Sequence, residues 1–408
     1  MRNDRAAAVS AQIAYELERD THPEGFPTLP LIPKARYTSQ EFFDLEMDHL
    51  WSKTWLVACR ADEIAEKGQY RLFRRLGKEV VITRGVDGEV RAFHNACQHR
   101  GAPVVGSECG KANLLVCRYH SWCYDLTGRL IRVPEEHDFG EFDKAEHGLK
   151  KVACDVWDGW VFVNFAEDPV PLVEELGRVA EDLAPMTMGE LRLKGRLHYR
   201  IKCNWKAALD AFLEAYHVNA IHPKTVATLL DGKGTAIGLL KGGHSRMALP
   251  KKRSAAGGTW GTDDYEKYDI EGVPEVFRAN NCAYGVFPNF VTPVDSAGFP
   301  FVVFWPVSKG ECECELIFVG AGPEEDTAET SEYWRTFVAN YDVIQNEDFQ
   351  FLEHIQASLE SGAFDGLTLC HQERRIYWMH EEFDRRIGID HIPAALRVAP
   401  VLEPFSES

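Results

Sequence analysis

No run in this chain approaches the roughly 18 consecutive apolar residues that a membrane helix needs. The N-terminus, MRNDRAAAVSAQIAYELERD, is charged and lacks the uninterrupted apolar core of a secretion signal. The expected address is the cytoplasm, with no membrane partner. There is no internal repeat and no low-complexity tract, which sets aside solenoids and repeat arrays. Positive charge is scarce: 45 Lys and Arg stand against 63 Asp and Glu, for a net charge of −18. That field repels duplex nucleic acid, so no nucleic-acid partner is expected. The nicotinamide fingerprint G-x-G-x-x-G after a strand is missing. The loop DGKGTAIG, Asp231 to Gly238, lacks the spacing and the Lys-Ser/Thr of a phosphate-binding loop. The eleven cysteines are odd in number and scattered, which argues against a disulfide framework and leaves core thiols or metal ligands.

With 408 residues the chain is too long for one simple core and suits two domains. Residues 1–50 read as two helical pieces around the Pro-rich THPEGFPTLPLIPKARY, expected to pack on a later domain. From Thr54 the texture changes to short β-branched runs (TWLVAC, EVVITR, EVRAFHN, NLLVCRYH, GWVFVNF) punctuated by turns such as Val86-Asp87-Gly88. This predicts an all-β domain over 51–168. Residues 169–408 mix helical stretches with strands (KGRLHYRIKC, FPFVVFWPV, CECELIFVG) and a long amphipathic helix from about Ser331 to Ser361. The overall class is α+β, the second domain being an antiparallel sheet with helices.

Two Cys-His pairs carry the first constellation. Cys97-x-His99 and Cys117-x-x-His120 each follow a predicted strand, so each sits on a loop at a strand end. Two thiolates and two imidazoles suit zinc or an iron–sulfur cluster. A zinc finger normally groups its cysteines in one knuckle and its histidines in the other. Here each loop holds one of each, the pattern of a [2Fe–2S] cluster with two cysteines on one iron and two histidines on the other. Chance placement and structural zinc are the competing readings. The run CQHRG…CRYHSWCYDLTGRL resembles the Rieske signature of the ring-hydroxylating oxygenase α subunits, from about Trp51 to Phe165. Ser121 departs from it, standing where that family usually has Gly. Ala102 and Tyr119 stand near the places where respiratory Rieske proteins carry a disulfide.

The second constellation lies in NWKAALDAFLEAYHVNAIHP. Asn204 suits an N-cap, and Asp210, Glu214 and His217 would share one face of a helix opening there. A solvated polar face is the plain alternative, but the helix is apolar around most of its circumference and so expected to be buried. His217 and His222 would diverge by about 140° on a regular helix. Ending the helix before Pro223 could bring them together. Two imidazoles and a carboxylate form the facial triad of non-haem iron(II) sites, which leaves positions open for O2 and substrate. From the residues alone, several late carboxylates could complete it.

This segment closely resembles the iron-binding motif of the Rieske oxygenase α subunits. The resemblance implies a helix-grip (START-like) catalytic domain with mononuclear iron on His217, His222 and a late Asp. Asp348 in NEDFQFLEHIQ matches that Asp, with the adjacent Glu347 as the alternative. It also implies that Glu214 links the two metal centres across the subunit boundary of a homotrimer and acts in catalysis by that route. A β subunit is left open. The implied function is that of a terminal oxygenase. It would take electrons from NAD(P)H through a separate reductase, with or without a ferredoxin, and hydroxylate or dihydroxylate an aromatic or alicyclic small molecule. Glu214, in place of the Asp common among ring dioxygenases, keeps open a monooxygenase acting on a quaternary amine or an N- or O-methyl group. A Rieske electron carrier is the reading from another class.

The other nine cysteines read as core or surface thiols, and His371 and His380 as surface residues in a polar tail. Arg100, Lys111, Arg118, Arg129 and Arg132 read as ordinary solvated cations or as a docking patch for an acidic ferredoxin. Leu209, Phe212, Val218, Phe287, Phe290, Phe301 and residues 226–240 are the expected lining of a substrate pocket.

Overall fold

The β-branched runs KEVVITR and VRAFH form the adjacent strands Lys78–Arg84 and Val90–His94 of a seven-stranded antiparallel sheet. The computed structural model describes residues 1–252, 268–321 and 328–407. The chain divides into two units, one of Ser52–Glu174 and the other of Met1–Trp51 with Glu175–Ser408.

In the first unit the sheet runs in the order Leu56–Arg60, Trp160–Asn164, Lys151–Trp157, Val90–His94, Lys78–Arg84, Gln69–Arg75, Cys109–Lys111. A three-stranded antiparallel sheet, Leu115–Val116, Cys123–Tyr124 and Leu130–Arg132, accompanies it. Val81, Phe93, Leu115, Trp122 and Tyr124 belong to one apolar cluster that also contains Cys97 and Cys117. Gly128, at φ +84°, lets the chain pass so close to Phe93 that a Cβ there would lie 2.4 Å from the ring.

The second unit is built on an eight-stranded sheet in the order Arg192–Ile201, Glu311–Gly320, Gly298–Ser308, Phe290–Val294, Asn280–Val286, Ser245–Pro250, Ala236–Leu240, Ser406–Glu407. All neighbours are antiparallel except the last pair. The long helix Ala328–Ser361 lies on this sheet. Its seat is made by small residues: a Cβ on Gly320 would fall 1.9 Å from the Trp334 ring, and one on Gly195 would fall 2.9 Å from Val338. Polar ties fix it along its length, with the Tyr199 hydroxyl donating to Asp342 and the Asn204 amide to Gln356 Oε1 at 2.9 Å. Among the described residues, no helix is long and apolar enough to cross a membrane. Of the two Gly-Gly pairs in the loop-rich middle, Gly242-Gly243 and Gly257-Gly258, the second lies outside the described residues.

The N-terminal segment forms the helix Asn3–Glu18 and then short helical pieces, Ala35–Thr38 and Gln40–Leu45, followed by a π turn over Glu46–Trp51. Trp51 packs edge-on to Trp205, with ring centroids 4.9 Å apart. The segment also supplies partners for buried polar groups, which overturns one expectation. His380 is not on the surface; it is fully buried on the helix Arg374–Ile387. Arg36 Nε donates to His380 Nδ1 at 2.8 Å, so the ring proton sits on Nε2, which donates to the Tyr37 oxygen at 2.8 Å. The Tyr37 hydroxyl in turn donates to Asp210 Oδ2 at 2.7 Å. Burial, with the Arg36 and Lys206 charges beside it, holds His380 neutral by pushing its pKa well below the usual value. His371 is likewise only partly exposed, with Nε2 3.2 Å from Glu16 Oε1. The tail's polar composition reads as solvated because partners far away in sequence cannot be read from it.

Candidate metal centres

The two Cys-His loops of the first unit are built alike. In each, the cysteine carbonyl accepts a hydrogen bond from the amide four residues on, Gly101 to Cys97 at 2.8 Å and Ser121 to Cys117 at 2.9 Å. The cysteine amide donates to the carbonyl five residues on, Cys97 to Ala102 at 2.8 Å and Cys117 to Trp122 at 3.0 Å. Closing such a loop requires a left-handed residue at the fourth place. Gly101 is at φ +77° and Ser121 at φ +58°. The serine that departs from the family pattern therefore stands where the backbone favours glycine.

The loops bring the donors together. His99 Nδ1 and His120 Nδ1 are 3.1 Å apart, and the His99 ring stacks on Trp122 with centroids at 5.0 Å. Cys97 and Cys117 are buried in the apolar cluster, and burial, with the Cys117 thiol nearby, raises the Cys97 pKa. An uncoordinated thiolate is therefore disfavoured here, while two thiols beside two half-exposed imidazoles suit a cluster that takes up the charge. The Tyr124 oxygen accepts from the Gln98 amide at 3.0 Å, so its hydroxyl is left to donate to Cys97 Sγ at 3.2 Å. All eleven cysteines are free thiols.

In the second unit, the helix opens at Asn204 as its sequence predicts, with the side chain accepting from the Lys206 amide at 3.0 Å. It stops at Asp210. Asp210, Glu214 and His217 therefore do not form a stripe on one helix face: Asp210 turns to Tyr37, while Glu214 and His217 lie on an irregular turn. The chain resumes as a single helical turn, Val218–Ile221, capped by His222 at φ −110°, ψ 38°. This break places the His217 and His222 rings with centroids 5.3 Å apart.

Asp348 comes to them from the long helix. Its Oδ1 is 3.0 Å from His222 Nε2 and 3.5 Å from His217 Nε2. One donor atom from each of the three residues lies within 4.8 Å of the others. The far side of each imidazole is also engaged. His217 Nδ1 donates to Glu214 Oε1, and His222 Nδ1 donates to Glu347 Oε2 at 2.7 Å. Glu347 additionally accepts from the Thr225 hydroxyl at 2.6 Å. Each carboxylate thus sets the tautomer that leaves an Nε2 lone pair facing Asp348. Burial opposes charge on both rings, but the carboxylates outweigh it and raise their pKa values, Glu214 leading for His217 and Asp348 for His222. In this geometry Glu347, the alternative donor by sequence, is occupied with His222 Nδ1 and Asp348 faces the two Nε2 atoms. Two neutral nitrogens and one carboxylate oxygen at a single point suit a divalent iron.

Cavities border this cluster on two sides. One, of about 100 Å³, is walled mainly by aliphatic side chains and includes Phe212, Val218, Val226 and Leu230 among its lining. The other, of about 250 Å³, shares Glu214, His217 and Asp348 with it and extends past Tyr37 and Asp210 to Phe351 and Ile355. Leu209, Phe287 and Phe290, expected at a substrate pocket, instead surround a separate void of about 10 Å³. Phe301 stacks on Phe290 with centroids 4.8 Å apart. On the strands Phe290–Val294 and Gly298–Ser308 it is Val291, Pro293 and Val302 that line the first cavity.

Residues 54–151 match the Rieske [2Fe-2S] domain, and residues 188–389 match the catalytic domain of the ring hydroxylating alpha subunit. The chain belongs to the Rieske-type ring-hydroxylating oxygenase α-subunit family. It is 36% identical over 201 residues to the glycine betaine monooxygenase oxygenase subunit of Pseudomonas aeruginosa, a stretch covering 49% of this chain and 46% of that one. It is 31% identical over 207 residues to the carnitine monooxygenase oxygenase subunit of Acinetobacter pittii, covering 49% and 56%. The matched stretches thus span about half the length of these curated relatives. A crystal structure of a quaternary ammonium Rieske monooxygenase shares the fold, with a TM-score of 0.73 at 23% identity over 88% of this chain and 97% of that one.

Proposed function

We propose that this chain is the terminal oxygenase component of an electron-fed system that transfers oxygen from O2 to a small, largely apolar molecule. The observation that carries the proposal is the convergence of His217 Nε2, His222 Nε2 and Asp348 Oδ1 on one point beside an apolar cavity. Iron bound there would supply O2 activation, with a [2Fe–2S] cluster on Cys97, His99, Cys117 and His120 as its store of single electrons. Glu214 and Glu347 act as positioning residues by fixing both imidazoles in the tautomer that binds metal. Tyr124 donates a hydrogen bond to a cluster-binding sulfur and so takes part in setting its potential. The aliphatic cavity wall excludes water from the reacting centre.

The same proposal has electrons drawn from NAD(P)H by a separate reductase, directly or through a ferredoxin. They would pass to the iron site by way of Glu214 in a cytoplasmic homotrimer, with or without a β subunit. A second reading, monooxygenation of a quaternary amine, is favoured by what the two curated relatives are named for.

Iron and acid-labile sulfide analysis of the purified holoprotein tests the central claim. The oxygenase holds about three irons per chain, whereas an electron carrier would hold about two. His217→Ala should keep the cluster's visible absorption, lose the third iron and lose substrate-stimulated O2 uptake. Full turnover in that variant overturns the assignment.

A further inference from the structure

Two amide side chains border the aliphatic cavity, and neither belongs to the metal cluster. Asn281 is 4% exposed and Gln345 is 2% exposed, yet among the described residues Asn281 Nδ2 and Gln345 Oε1 find no hydrogen-bond partner. A buried amide group left unpaired gives up its hydration with nothing in return, so native proteins seldom retain two beside one cavity without a use for them.

Their placement follows from the fold. Asn281 and Ala283 alternate on the strand Asn280–Val286 and so face the same side. Their cross-strand partners Leu249 and Met247 line the cavity with them. Gln345 sits three residues before Asp348 on the long helix, close to one full turn, so its side chain reaches the same side as that carboxylate. One amide therefore rises from the sheet floor and the other descends from the helix that carries the candidate metal ligand.

The rest of the wall restricts what can enter. No Lys or Arg among the described residues lines the cavity, while Glu214 and Asp348 do. A carboxylate entering here would lose its hydration with no Lys or Arg to pair with, and the charge of an iron held at this site would already be balanced by Asp348 and Glu214. Among the described lining residues only Phe212 and Tyr341 are aromatic, and both rings already have aromatic neighbours. Phe212 packs on Phe304 at 5.2 Å between centroids and Tyr341 on Phe318 at 5.3 Å. An aromatic cage of the kind that holds a quaternary ammonium is not formed by these residues.

We infer that the cavity selects a neutral molecule with an apolar body and one uncharged polar group, such as a carboxamide or hydroxyl, that accepts from Asn281 and donates to Gln345. It does not select a betaine-like zwitterion. This deepens the oxygenase reading and rests on it for the identity of the cavity as a substrate site. The inference assigns Asn281 and Gln345 as specificity-determining residues, a role in which both amide orientations serve, since each group has one donating and one accepting end and a flip only exchanges which end faces a ligand that can itself both donate and accept.

The test is ligand binding to the anaerobic reduced holoenzyme by calorimetry, which needs no turnover and so reads separately from the oxygenase proposal. The probes are benzamide and benzyl alcohol, with ethylbenzene as the apolar parent, benzoate as the anion and glycine betaine as the zwitterion. Benzamide or benzyl alcohol should bind at least about tenfold more tightly than ethylbenzene, and benzoate and glycine betaine more weakly than either. Asn281→Leu and Gln345→Leu should each erase most of the advantage over ethylbenzene and leave ethylbenzene binding unchanged. Asn281→Thr, smaller and still polar, serves if the leucine variant fails to fold, and should retain part of the advantage. Glycine betaine binding as tightly as the neutral probes overturns the inference, as does failure of both neutral polar probes to outbind ethylbenzene. Leucine variants that keep the full preference assign the two amides to structure alone and overturn it equally.

Discussion

His222 Nδ1 lies 2.7 Å from Glu347 Oε2, which makes the residue next to Asp348 in the chain a partner of the imidazole. Adjacent helical residues point about 100° apart, so Glu347 and Asp348 can engage opposite edges of one ring. Glu347→Ala should weaken iron binding at this site by about 10–100-fold, the usual effect of losing a carboxylate behind a metal-bound histidine. Glu347→Gln, which can still accept from Nδ1, should lose less, and Asp348→Ala should lose the third iron altogether. Iron titration of the three apoproteins checks the order. Equal affinities for Glu347→Ala and wild type would reject the role given to Glu347.

The left-handed fourth place is Gly101 in one Cys-His loop and Ser121 in the other, and stability should report the difference. Ser121 holds φ +58°, where an L-residue costs about 1–2 kcal/mol, partly offset by the extra freedom a glycine loses on folding. Ser121→Gly should therefore stabilise the loop by about 0.5–1 kcal/mol. Gly101→Ala should destabilise it by about 1 kcal/mol through torsion alone, because a Cβ there meets nothing within 4 Å. The midpoint for loss of cluster absorbance on heating reads both changes, which should have opposite signs.

Tyr124 aims its hydroxyl at Cys97 Sγ. A hydrogen bond to a ligand sulfur favours the more negatively charged, reduced state of a cluster. Tyr124→Phe should thus lower the reduction potential by on the order of tens of millivolts. Spectroelectrochemical titration measures it. A raised potential would contradict the assigned direction of the bond.

Asp210 gives stability a pH dependence of defined sign. Burial raises its carboxyl to about 7, although the Tyr37 hydroxyl and the Lys206 charge pull the other way. The unfolded chain releases this proton near 3.8, so between these values the folded state binds more protons. The contribution is fully present below about pH 4 and is lost as pH rises through about 7. Asp210→Asn cannot ionise and should lack this slope. Relative to wild type it should gain on the order of 2 kcal/mol between about pH 5 and about pH 8. Urea unfolding across that range provides the test, and parallel profiles would show that Asp210 does not titrate in it.

Local spacing was sufficient to mark the two Cys-His pairs, whose histidines the structure brings to 3.1 Å of each other. Cys97-x-His99 and Cys117-x-x-His120 follow strands directly, so the loop that presents each pair is short and its donors are set by nearest neighbours in the chain. The same holds for the N-cap at Asn204. Apolar periodicity also marked the long helix to within a few residues of its observed start at Ala328. Periodicity misled in the segment from Asn204 to Pro223. It predicts an unbroken helix, whereas the helix ends at Asp210, where the carboxylate is held by Tyr37 from the N-terminal segment.

Only the tertiary structure decided which late carboxylate faces the two histidines and which one stands behind His222. That choice depends on where the long helix rests on the sheet, and its seat is set by the close approaches at Gly195 and Gly320. It also decided that His380 is buried and neutral and that Asn281 and Gln345 meet at one cavity. Such groups acquire partners from strands and helices distant in sequence. The identity of a side chain states what it can donate or accept, but packing alone determines what stands opposite it.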